Sequence, residues 1–171
     1  MKIAIIGYAG SGKSTLARQL GKFYNIPVLH MDKIQFEHNW IERDEEIAKN
    51  MVEKFMNENK SWVIDGNYTK FHRERRLNEA DEIIFMNYSR WVCLWQAFKR
   101  YIKYKGKTRE CIADGCIEKL DLEFIKWILK DGRDEKHMKR YEETIKKHNS
   151  KTNILRNRIE TDLYLKKLFK V

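Results

Sequence analysis

The chain has 171 residues, with 35 lysines and arginines against 25 aspartates and glutamates, a formal net charge of +10 and 42% hydrophobic residues. That length suits one domain with a full core and is too short for a nucleotide-driven motor with its mechanical attachments. No apolar run approaches a bilayer span, and the first apolar stretch meets glycine too early for a signal peptide, so a cytoplasmic protein with no membrane partner is expected.

The chain opens with "KIAII", a β-branched run that predicts a buried strand near residues 2–6. "GYAGSGKSTL" follows and fits G-x-x-x-x-G-K-[ST] at Gly7, Gly12, Lys13 and Ser14, with Gly10 as an extra glycine. Leu16, Leu20 and Phe23 then recur at helical spacing, so a helix opens at Lys13 and runs to about Tyr24. Glycines let several backbone N–H groups point into one concavity, and the helix N-terminus adds partial positive charge. Gly7, Gly10, Ser11, Gly12, Lys13, Ser14 and Thr15 are therefore the expected cradle for the phosphates of ATP. Lys13 would reach the β- and γ-phosphates, and the Ser14 hydroxyl would take a place on Mg²⁺.

"PVLH" reads as a second strand, and "LHMD" puts His30 and Asp32 at its mouth beside the phosphate loop. Ile47, Met51 and Phe55 mark a helix from about Asp44 to Asn57. "WVID" is a third strand, and its end places Asp65 where a carboxylate would hold Mg²⁺ directly or through water. A short charged helix, "FHRERRLNEA", leads to a fourth strand, "EIIFM". Trp91, Leu94, Trp95, Phe98 and Ile102 give a long helix whose aromatic stripe is expected in the core. A polar stretch from Lys105 to about Lys119 follows, then a helix capped by Asp121 and another marked by Met138, Tyr141 and Ile145. "NILR" is the fifth strand, and Thr161 or Asp162 opens the last helix. The alternation predicts an α/β fold of one domain, residues 1–171: a five-stranded parallel sheet with helices on both faces and ligands at the carboxyl ends of its strands.

Cys93, Cys111 and Cys116 contain no C-x-x-C pair and are expected as thiols; further ligands that would make Cys111 and Cys116 a zinc site are not nearby in sequence. Neither N-K-x-D nor a D-x-x-G after the third strand is present, which disfavours a GTPase switch. Phosphoryl transfer to a small acceptor remains, and it needs cations closing over the phosphates. From Arg90 to Arg109 every charged residue is basic, and Arg100 and Arg109 suit a mobile lid over about residues 100–120. Asp32 is placed to accept or orient the proton of an acceptor hydroxyl.

Beyond the glycine loop, "PVLHMDKI", "SWVIDGNY", "RRLNEADEIIF", "GKTR" and "ILR" resemble the bacterial family of DNA topology modulation proteins, kinase-like members of the adenylate-kinase-like group. The resemblance implies an ATP-dependent kinase with an acceptor region after the second strand, about residues 31–60, a lid after the fourth, and Arg156 bordering the adenine. Adenylate kinases follow their third-strand "DG" with F-P-R; here Asn67, Tyr68 and Thr69 stand instead, so no arginine there grips an acceptor phosphate. His30 and Asp32 match half of the D-x-D pattern of shikimate and gluconate kinases, and the acceptor stays open. The family name adds an alternative, an ATP-binding protein that contacts DNA. The net charge favours it mildly, but no helix-turn-helix, zinc-finger or basic-zipper pattern is present. The chain is expected as a monomer or homodimer.

Overall fold

The computed structural model describes residues 1–170. Five strands, β1 (Lys2–Gly7), β2 (Val28–His30), β3 (Trp62–Asp65), β4 (Glu82–Met86) and β5 (Thr152–Leu155), form one parallel sheet in the order β2-β3-β1-β4-β5. Their near-continuous apolar sequences fit strands covered on both faces: β1, β3 and β4 are almost entirely buried.

Right-handed crossovers decide which face each helix covers. From β1 the chain moves one way, through α1 (Lys13–Tyr24), to the edge strand β2. Every later crossover moves the other way, through α2 (Met31–Gln35) and α3 (Glu45–Glu58), then α4 (Arg73–Glu79), then α5 (Arg90–Tyr104), α6 (Leu122–Leu129) and α7 (Glu135–Lys147). Those helices therefore cover the opposite face, and the contacts agree: Arg75 of α4 reaches Asn57 of α3, and Arg73 reaches Thr144 of α7. The last helix, α8 (Arg158–Phe169), returns to the first face, where Phe169 meets Phe23 of α1 with ring centroids 4.5 Å apart.

Two expectations need correction. The last helix opens at Arg158, a turn before Thr161: the Asn157 side chain accepts the Glu160 N–H at 2.9 Å and caps it. Thr161 lies inside the helix, buried and hydrogen-bonded to the Tyr88 hydroxyl. The aromatic stripe of α5 does not enter the core. Trp91 is 68% exposed, Trp95 55%, Phe98 42% and Ile102 60%, and the residues that α5 buries are Cys93 and Ala97. The reason is tertiary: α5 lies so close to the phosphate loop that a Cβ on Gly10 would sit 2.4 Å from the Cys93 carbonyl oxygen. Only small side chains fit that approach, so the large ones turn outward.

Arg76 of α4 holds the turn after β3. Almost wholly buried, it donates to the carbonyls of Phe71, Gly66 and Tyr68, and burial pulls its pKa down. Arg76→Leu leaves these carbonyls without their donor, so we expect a loss of about 3 kcal/mol. In thermal unfolding the midpoint should fall by about 10 °C; an unchanged midpoint would show that the turn stands without it.

Candidate functional site

Between β1 and α1 the chain makes a loop that glycine alone fits. Gly7 has φ 141° and Gly10 φ 79°, and a Cβ on Gly7 would stand 2.5 Å from the Met86 carbonyl oxygen. Gly12 serves as N-cap of α1 with no side chain capping the helix and no acid in the first turn, so the exposed backbone donors and the dipole are left for an anion. The Ser11 hydroxyl lies buried in this loop without a hydrogen-bond partner among the described residues. The Lys13 ammonium folds back onto the loop and donates to the carbonyls of Gly7 and Tyr8, 2.9 Å each. Burial lowers its pKa, while Asp32 and Asp65 act in the opposite direction. Ser14 is half-buried and Thr15 exposed at the start of α1.

The ends of β2 and β3 bring polar groups to the same edge. His30 Nδ1 and Asp65 Oδ1 are 2.6 Å apart, and both residues are buried. Asp32 lies one residue into α2, half-buried, and accepts a 2.8 Å hydrogen bond from the Tyr68 hydroxyl. Burial and the adjacent Asp32 carboxylate push the Tyr68 pKa far up, so this phenol stays a donor. With His30 on one oxygen of Asp65, the other oxygen and the Ser14 hydroxyl are the groups here suited to Mg²⁺, a hard ion that takes oxygen ligands.

The sequence reading gave Asn67 no role in the loop, but the structure assigns it one. Its Oδ1 accepts the Gly7 N–H at 3.0 Å, and its Nδ2 donates to the Gly7 carbonyl and to the Tyr141 hydroxyl, the latter at 2.7 Å. Tyr141 stacks on Phe85, centroids 4.5 Å apart, and meets Tyr8 edge-on. One amide thus ties the first glycine of the loop to Tyr141 of α7, a residue 74 positions beyond Asn67.

Arg100 of α5 and Arg109, in the loop after it, converge on one buried carboxylate. Arg100 Nε donates to Glu118 Oε1 at 2.8 Å and Arg109 Nε to Glu118 Oε2. Burial and the neighbouring Arg109 lower the Arg100 pKa, which Glu118 opposes. An antiparallel bridge between Thr108 and Ile117 closes the loop that carries Arg109. The loop rests on the segment after α2: Trp40 Nε1 donates to the Ile117 carbonyl at 2.9 Å, and the Cys116 thiol to the Glu37 carbonyl at 3.0 Å. All three cysteines are free.

A further arginine escaped the sequence reading. Arg133, in the short 3₁₀ turn before α7, lies over the Tyr8 ring at 3.5 Å from its centroid and donates to the Tyr88 carbonyl at 2.8 Å. Nothing in spacing ties it to a loop 125 positions earlier; only the return of α6 and α7 onto the sheet brings it there. Arg156 stands apart from these groups, exposed after β5, with its backbone N–H on Glu160.

No family model matches the sequence, and no curated protein does. Solved structures do. A shikimate kinase from Acinetobacter baumannii in complex with shikimate aligns over 98% of this chain and 90% of its own, with TM-score 0.59 and 15% identity. A deoxyadenosine kinase from M. mycoides with bound dATP aligns over 98% of both chains, with TM-score 0.54 and 14% identity. A shikimate kinase from Bacteroides thetaiotaomicron covers 100% of this chain and 99% of its own, with TM-score 0.53 and 15% identity. At such identities the likeness shows the fold alone. The chain shares the α/β fold of these structures, a five-stranded parallel sheet covered by helices.

Asn67→Ala removes both hydrogen bonds to Gly7 without touching the hydrophobic core. The loop should lose its fixed shape, and the dissociation constant for Mg-ATP measured by calorimetry should rise roughly tenfold, the effect of about one lost hydrogen bond. Unchanged affinity would show that the loop holds its shape without the amide.

Proposed function

We propose that the chain is an ATP-dependent phosphotransferase that passes the γ-phosphoryl group to a hydroxyl of a small molecule. The observation that carries the reading is the loop itself: a turn held by positive-φ glycines, an uncapped N-terminus of α1 and the Lys13 ammonium folded onto the loop carbonyls. Asp32 stands just beyond the end of β2 and Asp65 at the end of β3, on the same sheet edge, and both act on the Lys13 ammonium, which supports reading them with it as one site.

In this reading Gly7, Gly10, Ser11, Gly12, Ser14 and Thr15 cradle the phosphates through backbone N–H groups and hydroxyls. Lys13 exchanges its two carbonyl acceptors for phosphate oxygens. Ser14 and Asp65 would hold Mg²⁺, which when bound would neutralise charge on the phosphates. Asp32 takes the proton of the acceptor hydroxyl as that oxygen bonds to the γ-phosphorus and the bond to the β-phosphate oxygen breaks, releasing ADP. Arg100 and Arg109 turn from Glu118 toward the charge that develops on the transferred group. Arg133, with its guanidinium on Tyr8, already sits beside the loop and supports the same charge. Arg156 borders the adenine, as the likeness to adenylate-kinase-like proteins implies.

The acceptor region is the stretch from Met31 to about Lys60, which the lid loop touches through Trp40. The turn Asn67–Thr69 offers no cation to an acceptor phosphate, which favours an uncharged or carboxylate-bearing hydroxyl compound over a nucleoside monophosphate. The named acceptors of the kinases sharing the fold are likewise small molecules.

A panel of small hydroxyl compounds screened for acceptor-dependent ADP release tests the proposal, and Asp32→Asn refines it. The variant keeps its shape and Mg-ATP binding, so acceptor phosphorylation should fall by roughly 10²–10⁴-fold while hydrolysis of ATP by water falls far less. If both fell together with weakened Mg²⁺ dependence, Asp32 would belong to the metal and Asp65 to the acceptor.

A further inference from the structure

We infer that the outer face of α5 is a docking surface for an anionic phospholipid membrane, on which the helix lies flat without crossing. Trp91, Trp95, Phe98 and Ile102 follow one another at four, three and four positions, which aligns them along one side of a helix, and each is well exposed. Cys93 and Ala97, on the opposite side, face the protein. Val92 beside the stripe and Leu122 at the start of α6 are exposed as well, Leu122 by 83%. This is a contiguous apolar face on a helix of 15 residues, roughly 22 Å long.

The charges flanking that face decide its partner. Arg90, Lys99, Lys103, Lys105 and Lys107 are all exposed, and none forms an ion pair among the described residues. The ion pairs of the segment belong instead to Arg100 and Arg109, which turn inward to Glu118. An apolar centre bordered by unpaired cations complements a surface that is apolar beneath and anionic above, the arrangement of an acidic lipid leaflet. A second copy docking by the same face would set unpaired cations against like cations. A nucleic acid would use the ring faces for stacking, but Trp95 and Phe98 stack on each other, centroids 5.8 Å apart and planes 20° apart, and the Lys99 ammonium sits over the Trp95 ring. Aliphatic Ile102, Val92 and Leu122 offer a base nothing, whereas they suit acyl chains.

No helix among the described residues is long and apolar enough to cross a membrane, so the contact is interfacial. It stands apart from the phosphotransfer proposal, since the face looks away from the glycine loop.

The test is co-sedimentation of the full chain with phosphatidylcholine vesicles, with and without phosphatidylserine. Binding should require phosphatidylserine, weaken with added salt, and shift tryptophan emission to shorter wavelength. Lys99→Gln and Lys103→Gln should each weaken the partition roughly fivefold. Trp95→Ala should weaken it with all cations in place and without changing the thermal midpoint, since the residue is exposed. No binding to anionic vesicles at low salt overturns the inference. So does binding of an oligonucleotide in place of vesicles, lost with the same substitutions, or a dimer in solution that Trp95→Ala dissociates.

Discussion

Gly7 is the residue on which strand order, loop shape and charge converge. As the last residue of β1 it pairs with Met86 of β4, and this pairing leaves no room for a Cβ. Its left-handed φ turns the chain out of the sheet and starts the loop. That turn strands backbone groups which a buried site must satisfy. Asn67, arriving from the end of β3, takes the N–H, and Lys13, arriving from α1, takes the carbonyl. β3 lies beside β1, so the sheet order itself brings Asn67 to the loop.

The excess positive charge divides into two populations with different physics. Inward-facing cations are each matched: Arg100 and Arg109 on Glu118, Arg133 on the Tyr88 carbonyl and the Tyr8 ring, Arg76 on three carbonyls. Burying charge is costly unless it is paired, and these pairings offset that cost. Lys13 is bound only to neutral carbonyls, which an anionic phosphate oxygen outcompetes as a partner. The outward cations along α5 form no ion pair among the described residues, and Lys99 rests only on the Trp95 ring.

What the sequence made legible follows from how local each cause is. The strand–loop–helix at the N-terminus, the parallel sheet and the cap at Asp121 rest on patterns a few residues long, and they appear where the patterns place them. His30, Asp32 and Asp65 reach one edge because strands end there. The stripe on α5 misled because periodicity shows that a face is apolar but not which face the protein covers. Here the close approach of Gly10 and Cys93, set by tertiary packing, chose the small-residue side. Asn157, three residues before an acid, carried a readable capping pattern. Arg133 and the tie from Asn67 to Tyr141 had no local signature, because both depend on α6 and α7 returning onto the sheet.

A crystal structure of the chain with Mg²⁺ and a non-hydrolysable ATP analogue tests the central claim most directly. Lys13 should leave the carbonyls of Gly7 and Tyr8 for oxygens of the β- and γ-phosphates, the Ser11 hydroxyl should gain a partner, and Gly7 should keep its bond to Asn67. An analogue bound away from the glycine loop, or Lys13 still on its two carbonyls with the analogue in the loop, would contradict the account.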